Sequence, residues 1–220
     1  MIANMNEKGR QVKLLAAIAV LAMVVCAFAV AIPSDVDAAE APSGTYGATK
    51  DVGSVADIQG LKDSSNSAIY SNGILTVPAE GLSLNLTQDI GSSESPMNLK
   101  IVLNGDLRIT STTNKSIYIQ AVGECAYTLT FNADDTVFEV SGANVILDAN
   151  GDKSSVINNM YTSEWDYTGS NVSGSVMVTN GATLTIKHTS GGSTWLDAAA
   201  GKTSLLYVDN ATVKFDNAHS

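Results

Sequence analysis

The chain has little cysteine and little arginine, and each scarcity excludes a class of protein. Only two of its 220 residues are cysteine and two are arginine. Cys26 lies in an apolar leader, so Cys125 is the one cysteine beyond it, and we expect no intramolecular disulfide there. The net charge is −10, and Arg108 is the only arginine past the leader. Because such a chain repels phosphate backbones, we predict no nucleic-acid partner.

Residues 1–39 predict a secretory signal peptide. Three basic residues at positions 8–13 precede an uninterrupted apolar run over 14–32, and an exit with small residues follows. This order is typical of a helical signal segment, and we expect cleavage after Ala38 or Ala39. The remainder of the chain is then extracellular, at the cell surface. The apolar run is also long enough for an uncleaved anchor, which would be the chain's only contact with a membrane.

Sustained amphipathic helical patterns are missing after residue 72, and short alternating stretches take their place. These stretches are rich in Val, Ile, Thr and aromatic residues and are separated by Asn, Gly, Asp and Ser, which predicts an all-β domain over 73–220. Residues 40–72 predict a linker or small N-terminal cap, with a short helical turn within 52–61. The predicted strands are 74–77, 82–86, 99–103, 107–110, 116–120, 127–131, 137–140, 145–148, 155–158, 176–179, 184–187, 204–208 and 212–215.

A short motif repeats through this β region. It consists of a β-type residue, a polar break of four or five residues, and an apolar–x–apolar strand. Copies start at Val77, Val140, Val178 and Val208, with a looser copy at Leu103. Repeats of this kind must stack to bury their apolar faces, which predicts a right-handed parallel β-helix, a β-solenoid.

Two further expectations concern this architecture. A β-sandwich with Greek-key connections is the alternative, because it also has short strands at regular spacing. No polar cap follows the last motif copy, and solenoids need capped ends. We therefore expect a β-helix that is incomplete at its C-terminus, in a chain that is a fragment of a longer protein.

The copies over 140–147 and 178–186 resemble coils of pectate-lyase-like right-handed β-helices. With the leader, the chain looks most like archaeal and bacterial adhesin-like surface proteins that carry such coils. The resemblance covers roughly residues 74–217. It implies extracellular display and contact with a polysaccharide or another host or cell-surface partner. It supplies no catalytic residue.

No arrangement of side chains predicts catalysis. Asp134 and Asp135 are adjacent carboxylates, but no second acid, His or Arg is spaced to join them as glycoside hydrolysis requires. We expect a non-catalytic, adhesin-like binding or structural module without a cofactor. A β-helix polysaccharide lyase or glycoside hydrolase is one alternative. A self-assembling structural protein of the cell envelope is another.

Four aromatic residues are the candidates for ligand contact. Tyr161, Trp165, Tyr167 and Trp195 lie in Gly/Ser-rich stretches, where exposed rings stack on sugars. The alternative is that these rings fold back over the core.

Two other sets of residues are weaker candidates. Asp148, Asn150 and Asp152 place oxygen ligands at alternate positions, as calcium loops do. Lys153 stands where such a loop needs glycine, so an Asx-rich turn is the alternative. Candidate glycosylation sites, in Asn-x-Ser/Thr sequences, are Asn114, Asn171 and Asn210.

Overall fold

The computed structural model describes residues 40–158, 172–194 and 203–217. Apart from Glu40, these belong to one compact unit, Ala41–Ser220. The predicted signal peptide lies outside the described residues. Within the described ranges, no helix is long and apolar enough to cross a membrane. The elements are β1 (Thr49–Val52), α1 (Val55–Gln59), β2 (Tyr70–Ser71), β3 (Ile74–Val77), β4 (Leu82–Leu86), β5 (Met97–Asn98), β6 (Lys100–Leu103), β7 (Leu107–Thr110), β8 (Ser116–Val122), β9 (Tyr127–Phe131), β10 (Thr136–Ser141), β11 (Asn144–Asn158), β12 (Gly174–Thr179), β13 (Thr183–Ser193), β14 (Leu206–Asp209) and β15 (Thr212–Asn217).

Every predicted strand overlaps an observed strand, so the approximate strand positions are confirmed. Two predicted strands, 145–148 and 155–158, are parts of the single long strand β11. The sequence missed three short strands, β1, β2 and β5. The first two lie within the segment predicted as a linker or cap.

The strands form two sheets. One has six strands, all parallel, in the order β1-β4-β7-β10-β12-β14, and the other has nine strands. Alternation along the strands explains the burial, because every second residue points to the same face. Buried residues of both sheets form a single hydrophobic cluster. The fully buried members include Val77, Leu103, Leu107, Val140, Leu147, Val178 and Leu184.

The prediction of a right-handed parallel β-helix is wrong. The nine-stranded sheet is mixed, because β2 runs antiparallel to β3. It also branches: β8 and β9 both pair with the long strand β11, and β5 pairs only with β8. A strictly parallel solenoid has neither feature. The sandwich alternative does not describe the structure either, because Greek-key connections give antiparallel neighbours and these neighbours are mostly parallel.

The repeated motif occupies two different kinds of corner. The copies at Val77 and Leu103 lead from the nine-stranded sheet into the six-stranded sheet, from β3 to β4 and from β6 to β7. The copies at Val140, Val178 and Val208 lead in the opposite direction. The copies are therefore not successive turns of one repeating unit. Their shared sequence reflects a shared local need, an apolar residue on each side of a tight polar corner.

Helix α1 lies in the segment predicted to form a short helical turn. The side chain of Ser54 accepts a 3.2 Å hydrogen bond from the Asp57 backbone N–H, and Asp57 in turn accepts one from the Ser54 hydroxyl at 2.9 Å. This reciprocal pair satisfies the Asp57 N–H, one of the free backbone donors at the helix start. Hydrogen bonds from the Gly53 N–H and Ser54 hydroxyl lower the pKa of Asp57. The helix buries Ile58 completely.

Candidate functional site

The outer face of the six-stranded sheet carries a continuous row of polar side chains. Six residues, one from each strand, are direct register partners across the whole sheet. Adjacent strands lie about 4.8 Å apart, so the row extends over about 24 Å. We call it the polar row; its members are Asp51, Asn85, Thr110, Ser141, Thr179 and Asp209.

Alternation with the core holds the polar row on the outer face. The residues one position earlier in four of these strands are Leu84, Ile109, Val140 and Val178, and all are buried. The polar row itself is exposed at its two ends and mostly half-buried between them. Its side chains are therefore presented by strands whose opposite face is packed in the core.

Short hydrogen bonds order parts of the polar row. Asn85 donates from Nδ2 to Asp51 Oδ1 at 2.8 Å, and Asn180 donates from Nδ2 to Ser141 Oγ at 2.8 Å. Since the carboxylate only accepts, it fixes the orientation of the Asn85 amide. The Oδ1 atom of Asn85 is then buried without a hydrogen-bond partner among the described residues. Among the residues that the structure describes, the Thr110 hydroxyl makes no side-chain hydrogen bond.

A charged cluster adjoins the polar row. Arg108 donates from Nε to Glu139 Oε2 at 2.6 Å, and its guanidinium lies 4.0 Å from the centre of the Tyr46 ring. Glu139 also accepts a 3.4 Å hydrogen bond from the Thr179 hydroxyl. The Glu139 side chain is only 6% exposed, whereas that of Arg108 is 38% exposed. The arginine therefore offers a charged edge to solvent beside the polar row.

Tyr46 covers this cluster from the segment that precedes β1. Burial raises the pKa of the Tyr46 hydroxyl well above its ordinary value, and the negative charge of Glu139 acts in the same direction. The hydroxyl makes no hydrogen bond of normal geometry to a described residue, although Glu139 lies close enough to affect it. Tyr46 is thus held neutral, with its ring packed on the arginine.

A second polar cluster lies on the nine-stranded sheet around Asp148. This fully buried carboxylate accepts hydrogen bonds at Oδ2 from the Tyr118 hydroxyl at 2.8 Å and the Gln120 amide at 2.7 Å. Thr189 contributes its hydroxyl at 2.7 Å to Oδ2 and its backbone N–H at 3.0 Å to Oδ1. Lys187 donates to the Tyr118 hydroxyl at 3.0 Å. Four donors therefore stabilise one buried carboxylate.

The three residues of the predicted calcium loop lie in different surroundings. Asp148 is surrounded by protein donors, Asn150 accepts a 2.9 Å hydrogen bond from the Ser190 hydroxyl, and Asp152 is exposed. Among the residues that the structure describes, no group of three or more His, Cys, Asp and Glu side chains is placed to hold a metal ion. Calcium binding here stays a prediction.

The remaining predicted site residues are the glycosylation candidates and the four aromatic residues. Asn114 and Asn210 are exposed turn residues with positive φ, at 53° and 47°. The residues that lie outside the described ranges are Tyr161, Trp165, Tyr167, Asn171 and Trp195.

The adjacent carboxylates Asp134 and Asp135 have structural contacts. Asp134 Oδ1 accepts from the Ser173 backbone N–H at 3.0 Å, and Asp135 Oδ1 accepts from the Ser173 hydroxyl at 2.8 Å. Both carboxylates therefore tie the start of β12 to the turn before β10.

Sequence reasoning missed the polar row and the cluster of Tyr46, Arg108 and Glu139. The members of these sets are tens of residues apart: 34 separate Asp51 from Asn85, and 31 separate Arg108 from Glu139. Only the register between strands brings them together. A weak signal was present, because Arg108 is the single arginine beyond the leader and lies mid-strand.

Comparison with known proteins gives no match to this chain among protein-family models, curated proteins or solved structures.

Proposed function

We propose that the protein is a non-catalytic, adhesin-like module of a cell surface that binds glycans along its polar row. The observation that supports this most strongly is the register of six polar side chains across six parallel strands. Extracellular display is part of the proposal and depends on the signal-peptide pattern of the leader.

The chemistry of the polar row suits sugars. Hydroxyl and amide groups both donate and accept, and carboxylates accept from pairs of sugar hydroxyls. A row of about 24 Å, with groups about 4.8 Å apart, provides a repeated set of contacts for an extended chain. Because each net hydrogen bond contributes only about 0.5–1.5 kcal/mol, several adjacent contacts are needed for useful affinity.

Charge narrows the class of glycan. The chain carries a net charge of −10, and both ends of the polar row are carboxylates, Asp51 and Asp209. Acidic polysaccharides are repelled by such a surface, and the exposed part of Arg108 is a single opposing charge. The proposed ligand is therefore a neutral polysaccharide.

The test is binding of the purified chain to a panel of neutral and acidic polysaccharides, by affinity electrophoresis and then calorimetry. Thr110→Val removes a central hydroxyl of the polar row while keeping its shape. Loss of one hydrogen bond predicts affinity for the neutral ligand about three- to tenfold weaker. Thr185→Val is the matched control, since Thr185 is equally half-buried but lies on the nine-stranded sheet.

Two outcomes would overturn the proposal. One is the absence of binding to every neutral polysaccharide in the panel. The other is binding that Thr110→Val leaves unchanged while Trp165→Ala or Trp195→Ala abolishes it, which would move the site to the segments that contain these two tryptophans.

A further inference from the structure

Strand β15 is the outermost strand of the nine-stranded sheet and exposes an apolar residue. Phe215 is the register partner of Ile186, which is 3% exposed, yet Phe215 is itself 64% exposed. Within the described ranges, no strand pairs with the far edge of β15. The edge therefore has unpaired backbone groups beside a large apolar side chain, which favours pairing with another strand.

The six-stranded sheet is similar at its β14 end. Leu206 and Val208 are 46% and 44% exposed, although Val208 is the register partner of the fully buried Val178. The far end of the nine-stranded sheet differs. There β2 is antiparallel and only two residues long, and α1 covers nearby core with its buried Ile58. The exposed apolar end at β14 and β15 is therefore best covered by the same end of a second copy. The β2 end of a second copy does not offer a matching apolar surface.

The charges of β15 are self-complementary. Lys214 and Asp216 flank Phe215, and both are exposed. In an antiparallel pair centred on Phe215, each Lys214 lies directly opposite Asp216 of the other strand. A parallel in-register pair would instead oppose lysine to lysine and aspartate to aspartate, which is unfavourable.

From this pattern we infer that β15 pairs antiparallel with β15 of a second copy of the chain, about a two-fold axis at Phe215. The two Phe215 side chains then face each other on the apolar side of the joined sheet. Two Lys214–Asp216 pairs lie on the outer side. Such an interface is isologous and closes after two copies.

A row of charges of alternating sign leads across the nine-stranded sheet to this interface. Asp148, Lys187 and Asp216 are register partners across β11, β13 and β15, so their charges alternate in sign. Lys214 of the second copy is the next member of that row. A lysine on an edge strand normally discourages pairing. Here the two-fold arrangement supplies each lysine with a carboxylate.

The test is the oligomeric state of the full chain in a mild non-ionic detergent, which keeps the apolar leader in the micelle. Sedimentation equilibrium is expected to show a dimer for the natural sequence. Lys214→Asp turns two attractive pairs into two repulsive ones, so we expect the dissociation constant to rise about tenfold or more. The double variant K214D/D216K restores opposite charges and is expected to recover most of the affinity.

A second measurement identifies the partner residues. Carbodiimide couples Lys214 to Asp216, and a mixture of ¹⁴N- and ¹⁵N-labelled chains shows by mass spectrometry whether the two residues belong to different copies. Mixed-isotope products are expected. A monomer at all concentrations, a dimer insensitive to K214D, or a double variant no better than K214D would each overturn the inference. Thermal unfolding of each variant shows whether it has folded.

Discussion

Nε of Arg108 lies 2.6 Å from Oε2 of Glu139, across the neighbouring strands β7 and β10. The two residues are direct register partners, and the carboxylate is far more buried than the guanidinium. The pair joins the middle of the six-stranded sheet to Tyr46, whose ring packs on Arg108.

Removing Arg108 should destabilise the protein more than its exposure suggests. Arg108→Ala leaves the Glu139 carboxylate buried without its charged partner, so the free energy of unfolding should fall by about 1–3 kcal/mol. This expected loss of unfolding free energy is smaller than for a fully buried ion pair, because solvent reaches the arginine. Urea unfolding of R108A, E139A and the double variant measures the coupling. Additive effects of the two substitutions would show that the pair does not interact.

Gly81 and Gly73 form a matched pair for separating backbone strain from crowding. Their φ angles are +82° and +80°. A Cβ on Gly73 meets nothing within 4 Å, whereas one on Gly81 would lie 2.2 Å from the Thr45 carbonyl oxygen. Gly73→Ala should cost about 1 kcal/mol of unfolding free energy, for the positive φ alone. Gly81→Ala should cost clearly more and loosen the segment that carries Tyr46. Equal losses in urea unfolding would show that Thr45 does not pack against Gly81.

The Asp148 cluster should contribute strongly to stability. Asp148→Ala leaves the donors of Tyr118, Gln120 and Thr189 unpaired in a buried site, at a cost of about 2–4 kcal/mol in unfolding free energy. Asp152→Ala, four residues later and exposed, should change it by less than about 0.5 kcal/mol. Denaturation midpoints of the two variants compare them directly. Similar midpoints would mean that the buried carboxylate does not contribute strongly to stability.

Tyr46 should make the protein less stable in alkali. Burial raises the folded-state pKa of Tyr46 above the unfolded value of about 10. Above pH 10 the unfolded chain loses this proton while the folded chain keeps it, so the free energy of unfolding falls as pH rises. Well below pH 10 the contribution is constant. Tyr46→Phe should lessen the decline seen in urea unfolding between pH 9 and 11.

Tyr118 provides the comparison for this experiment. Its pKa is also raised, mainly by burial and also by its hydrogen bond to Asp148, while Lys187 opposes the shift. Because Lys187 partly offsets the effect, Tyr118→Phe should flatten the alkaline decline less than Tyr46→Phe does. A decline that neither substitution alters would place its origin elsewhere in the chain.

Local sequence was sufficient for the strands and insufficient for their arrangement. Alternation predicted strands such as 82–86 and 127–131 because it depends on adjacent residues. The two-residue strands β2 and β5 are too short to show alternation. Sheet order depends on contacts between distant residues. The motif led to the wrong prediction of a β-helix, because Val77 and Val140 occupy corners that lead in opposite directions between the two sheets.

The candidate site could not be predicted from the sequence for the same reason. Asp51 and Asn85 show no mutual signal in the sequence, and only the β1–β4 register makes them neighbours. Polar residues alternating with Leu84 or Ile109 indicate a solvent-facing side of a strand. They do not indicate which other strands share that side.

The central claim, that the polar row binds a neutral glycan, is tested most directly by hydrogen–deuterium exchange of the chain with and without a neutral oligosaccharide. We predict added protection in β4, β7, β10 and β12, where the middle of the polar row lies, and little change in β6, β9 and β13. Protection confined to the nine-stranded sheet or to residues 159–171 and 195–202, or no change at all under saturating ligand, would contradict the account.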